Sequence, residues 1–103
     1  MLAEGPCFAP DEPVYISRVR LDANSLVVLD FQDPNQPNQV TGYNVYRSSN
    51  PAAAWPWPLV GSNVRDMDAG TANIQWVGQS GDPGSWYYQV NAYNAACDAE
   101  GPR

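Results

Sequence analysis

Four features of this sequence have the residue types and spacing for chemistry or specific contact. Trp55-Pro56-Trp57-Pro58 sets two indoles two residues apart on a backbone stiffened by proline. In an extended strand both rings would point the same way. Such a pair can stack on a sugar, contact a protein partner, or lie down on its own sheet. Cys7 and Cys97 are the two cysteines; they either form a disulfide or remain two separate buried thiols. Asp66-Met67-Asp68-Ala69-Gly70 opens like a calcium loop, but the further oxygen ligands and closing glutamate that calcium needs do not follow. A solvated acidic turn is the expectation there. Asp30 and Asp33 fit turn chemistry better than a catalytic pair.

What is missing narrows the chemistry further. The 103 residues include no histidine and no lysine, and five arginines face eleven acidic residues for a net charge of −6. Histidine-dependent triads, histidine-ligated zinc and Schiff-base chemistry are therefore out of reach. No enzyme activity, cofactor or metal is expected. An acidic chain offers no footprint for nucleic acid or anionic lipid, and no apolar run of about 18 residues is present to insert into a membrane. Two thiols without histidine cannot complete a structural zinc site, so Cys7 and Cys97 are expected to pair. A disulfide places the chain outside a reducing cytosol, secreted or at the cell surface. Met1-Leu2-Ala3 is too short for a signal peptide, so any export signal is expected to have been removed or replaced.

The elements that must position these residues read as all-β. Prolines and glycines punctuate short runs rich in valine, tyrosine, isoleucine and tryptophan, and no stretch of eleven residues holds a helical apolar period. Residues 1–13 form an extended N-terminal segment and 14–103 a single domain. Strands are expected over 14–21, 25–32, 42–48, within 59–67, over 73–78 and over 86–93. Turns fall at Asp22-Ala23-Asn24 and Gly81-Asp82-Pro83-Gly84, and a rigid polar loop at 33–38. Period-two alternation puts Val27, Leu29, Phe31, Tyr43, Val45, Trp76, Tyr88, Val90 and Ala92 in the core. Leu26 and Val28 then point outward as an apolar pair.

These strands resemble those of bacterial fibronectin type III domains. Residues 25–34 are similar to the second strand, with Phe31 where the family usually has a core tryptophan. Gly42-Tyr43-Asn44-Val45-Tyr46-Arg47-Ser48 resembles the third strand and residues 84–96 the sixth. The resemblance implies an immunoglobulin-like β-sandwich of about six strands. Trp86 stands at the position of the corner tyrosine, so the usual corner hydrogen bond must differ or be lost. The loop carrying Cys97 would lie at the same pole as the N-terminus, within reach of Cys7. Glu100-Gly101-Pro102-Arg103 falls where a seventh strand should begin, so that strand is expected to be missing and the sheet edge beside the sixth left open.

Such an edge is either short and wet, covered by residues 1–13, or free to recruit another strand or a docked helix from a partner. The expected function is a non-catalytic structural or assembly subunit of a secreted or surface structure, such as a fibre or pilus, completed by a partner subunit or by itself. Trp55, Trp57, Leu26, Val28 and Tyr93 are the expected partner-binding residues. The alternatives are a carbohydrate-binding accessory module using Trp55, Trp57 and Trp76, or a spacer from a larger extracellular enzyme or adhesin.

Overall fold

Alternation of apolar and polar side chains is what makes these segments strands, and it determines which face each one buries. The computed structural model describes residues 7–66, 74–78 and 86–103. Within them lie β1 (Tyr15–Leu21), β2 (Val27–Gln32), β3 (Gly42–Ser48), β4 (Leu59–Val64), β5 (Ile74–Val77), β6 (Tyr87–Asn94) and β7 (Ala99–Glu100). All pairings are antiparallel, in a three-stranded sheet ordered β1-β2-β5 and a four-stranded sheet ordered β4-β3-β6-β7. The result is a β-sandwich. The expected turn at Gly81–Gly84 lies outside the described residues.

The two inner faces meet over Leu29, Phe31, Val45, Val90 and Ala92, with Trp76 and Val14 completing the buried cluster. Val27, Tyr43 and Tyr88 pack against it partly buried, so the expected core set is in place. Phe31 meets Tyr43 edge to face at 5.0 Å, an arrangement that aromatic quadrupoles favour. Trp86 lies under the Arg47 guanidinium at 3.9 Å. Its buried Nε1 has no hydrogen-bond partner among the described residues.

Gly42 is required by contact rather than by its own backbone angle. A Cβ at this position would fall 2.3 Å from Asn63 Oδ1 and 2.8 Å from its backbone, because Asn63 takes a positive φ of 48° and brings β4 close to the start of β3.

The N-terminal segment seals one pole. Cys7 and Cys97 form a disulfide with their Cα atoms 5.8 Å apart. Asn94 donates to the Phe8 carbonyl, Gln39 to that of Ala9, and Asn35 Oδ1 accepts the N–H groups of Asp11 and Glu12. Pro10 is buried against Gly101.

Two expectations need correction. A seventh strand is present: Ala99 and Glu100 pair with Asn94 and Tyr93, and the Gly101 N–H reaches the Ala92 carbonyl. The chain reverses because Asp98 adopts a positive φ of 47° and Asn94 Oδ1 accepts the Ala96 N–H. Val28 does sit on the outer face, in register between Arg20 and Val77, yet it is only 2% exposed. It is not a contact surface.

An irregularity in β1 has a larger consequence. The register shifts between Ile16 and Arg18, leaving Ser17 as an extra residue. Beyond it Val19 faces Leu29 and Leu21 faces Val27. Directly opposed residues share a face, so both point toward the core side. Even so, Val19 is 57% and Leu21 67% exposed, because the two-residue β7 lies at the other end of β6 and does not reach beneath them.

Two outcomes test this packing by chemical denaturation. Leu29→Ala and Val90→Ala should each cost about 2–4 kcal/mol, through lost burial and the cavity left behind. Replacing both cysteines by serine should lower the melting temperature and leave the far-UV circular dichroism unchanged. Their separation of 90 residues corresponds to a chain-entropy effect of about 4–5 kcal/mol.

Candidate functional site on the outer face of the four-stranded sheet

Outward positions on β3 and β6 carry Asn44, Tyr46, Gln89 and Asn91, with Asn44 opposite Asn91 and Tyr46 opposite Gln89. An outer sheet face is ordinarily wet. Here Asn91 is fully buried and Asn44 nearly so, so their polar groups need partners. Glu100 of β7 supplies them. One carboxylate oxygen accepts from Asn44 Nδ2 at 2.6 Å and from the Tyr46 hydroxyl, and the other accepts from Asn91 Nδ2 at 3.2 Å. Asn91 Oδ1 takes a bond from Gln89 Nε2, and Asn44 Oδ1 one from the Asn63 N–H. The network therefore runs from β4 through β3 and β6 to β7. Burial, reinforced by the bond to Glu100 and its charge, pushes the Tyr46 phenol up to about 12.

The aromatic segment folds down beside this network. Residues 55–57 lie outside any strand, so the strand geometry expected for this segment is not adopted. The rings converge all the same. Trp55 meets Tyr46 edge-on at 4.7 Å and Trp57 at 5.9 Å with a 48° tilt. Trp57 Nε1 donates to the Ala53 carbonyl at 3.0 Å, which fixes that ring. The Arg103 guanidinium lies 4.5 Å from the centre of the Trp55 ring, a cation–π contact. Pro51, Ala53, Trp55, Trp57, Gln89 and Arg103 line an open groove of about 630 Å³.

The structure thus gathers Trp55 and Trp57 but not the other expected contact residues. Tyr93 sits toward the β7 end of β6, its hydroxyl donating to Asp98 Oδ1, a bond that raises its pKa. Leu26 is half-buried in the turn before β2, its N–H held by Asp22 Oδ1. Asp30 is buried in β2 beside Arg20, with Nε and Oδ2 3.4 Å apart. Asp33 accepts the Tyr43 hydroxyl and the Asn35 N–H; burial and this carboxylate raise the Tyr43 pKa. Asp66 accepts the Gln75 N–H, and Met67–Gly70 lie outside the described residues. No group of three or more metal-ligating side chains occurs among the described residues.

Arg103, Gln89 and the Glu100 network are the residues sequence reasoning missed. Alternating polar residues on adjacent strands were the signal for Asn44, Tyr46, Gln89 and Asn91; no spacing pattern links Arg103 to Trp55. Comparison of the chain with family models, curated proteins and solved structures returned no match.

The network has a titratable signature. Tyrosine ordinarily titrates near 10, so Tyr46 should ionise about two units later in an alkaline absorbance titration. Because the folded state holds this proton more tightly, its stabilising contribution is full below about pH 10 and lost as pH rises through about 12. Glu100→Gln should bring the Tyr46 midpoint down toward the ordinary tyrosine value.

Proposed function

We propose that this chain is a non-catalytic, fibronectin type III-like assembly module of a secreted or cell-surface structure such as a fibre or pilus, and that a strand from a second copy completes its sandwich. The segments resembling the family's second, third and sixth strands form β2, β3 and β6 of this sandwich, and the disulfide suits an oxidising compartment. The observation that carries the assembly reading is the exposure of Val19 and Leu21 on the core side of β1.

β7 pairs only with Tyr93 and Asn94, and no strand among the described residues continues along that side of β6. The Ala92 carbonyl faces β7 while that of Tyr93 faces β3. Alternation then turns the N–H and C=O of Tyr88 and Val90 toward the unpaired side. A strand added there would satisfy the Tyr88 groups and the Val90 N–H, take the Val90 carbonyl over from the Gln89 amide, and cover Val19 and Leu21, the usual logic of edge recruitment. Residues 86–94 carry no charge in a chain of net −6, so two copies can approach along this strand without strong local repulsion.

Light scattering over a range of chain concentrations tests the reading. The chain should associate as concentration rises, and Leu21→Asp should keep it monomeric with unchanged circular dichroism. A wild-type chain that remains monomeric at every concentration overturns the proposal.

A further inference from the structure

The groove beside Trp57 adjoins the open edge at Gln89 and has a different chemistry. Its walls combine an indole face, small apolar side chains and two planar polar groups. Gln89 spends its Nε2 on the Val90 carbonyl and Asn91 Oδ1, which leaves Oε1 as an acceptor at the groove. Arg103 makes no ion pair among the described residues and its guanidinium lies over the Trp55 ring, which leaves its N–H groups as donors at the groove. Arg103 covers Trp55, and Trp57 is pinned through Ala53; Trp57 is accordingly the ring on which a ligand would stack.

We propose that this groove binds a neutral polysaccharide, with one pyranose stacked on Trp57 and its hydroxyls bonded to Gln89 and Arg103. A pyranose has an apolar C–H face that suits an indole. Each of its hydroxyls both donates and accepts, and so matches the Gln89 acceptor and the Arg103 donors together. An apolar peptide would leave those polar groups unpaired on desolvation, which is costly. A polyanion would meet a chain of net −6 and the Glu100 carboxylate in the adjoining network, with Arg103 the one cation lining the groove. The groove volume of about 630 Å³ lies within the usual range of small-ligand sites. No preformed metal or second subunit is called for, so the monomer should bind.

Affinity electrophoresis through gels containing xylan, a soluble β-glucan, galactomannan, pectin or alginate tests this, with pull-down on cellulose and chitin. At least one of the neutral polysaccharides should retard or capture the full chain. Trp57→Ala should weaken that binding by about tenfold or more, and Gln89→Ala and Arg103→Ala should each weaken it several-fold, all with wild-type circular dichroism. The Leu21→Asp variant should bind as wild type, which separates this site from the assembly edge. Absence of binding to every neutral polysaccharide, retention by pectin or alginate alone, or wild-type binding by a folded Trp57→Ala variant would overturn the proposal.

Discussion

The Glu100 carboxylate is the interaction on which the outer architecture depends. It sits on a strand of only two residues, too short to hold its place by main-chain pairing alone. Its three acceptor bonds from Asn44, Tyr46 and Asn91 tie β7 to both β3 and β6. Bonds to an ionised acceptor are stronger than neutral ones, and a network whose buried members are all paired is rigid. This anchor also places the residues that follow: Gly101 bonds to the Ala92 carbonyl and packs on Pro10, and Arg103 reaches the Trp55 ring. The groove and the open edge are both consequences of where β7 is fastened.

The two poles of the sandwich are finished differently. At the Asn94 end a disulfide, a buried proline and the side chains of Asn35, Gln39 and Asn94 close the barrel of loops around residues 7–13. Toward the opposite end of β1 nothing comparable covers Val19 and Leu21 among the described residues. The sandwich is thus tightly bound where polar side chains from distant segments converge, and apolar surface remains where they do not. That asymmetry, rather than the total buried area, is the ground on which one edge is proposed as an interaction surface.

Much of this was legible in the sequence where a single period governs the chain. β3 begins at Gly42 and ends at Ser48, where alternation put it, and the inward set of β2, β3 and β6 followed from the same rule. β2 begins later than expected, at Val27, because Asp22 Oδ1 holds the N–H groups of both Asn24 and Leu26 and Ser25 takes a positive φ of 62°. The turn therefore extends further than its composition suggests. β7 was not legible, since it rests on a carboxylate meeting asparagines from two other strands. Alternation gave Val28 its face but not its burial, which is decided by neighbouring strands. The union of Arg103 with Trp55 joins segments with no shared pattern.

Backbone exchange at Tyr88 tests the central claim most directly. Its N–H points away from β3, beyond the reach of β7, so in a dilute monomer it should exchange quickly while neighbouring amides bonded to β3 exchange slowly. As the chain associates, residue-resolved hydrogen exchange should show Tyr88 becoming protected and those neighbours unchanged. A Tyr88 amide that exchanges at the same rate at every concentration, or is already protected in the monomer, would contradict completion of this edge by a second copy.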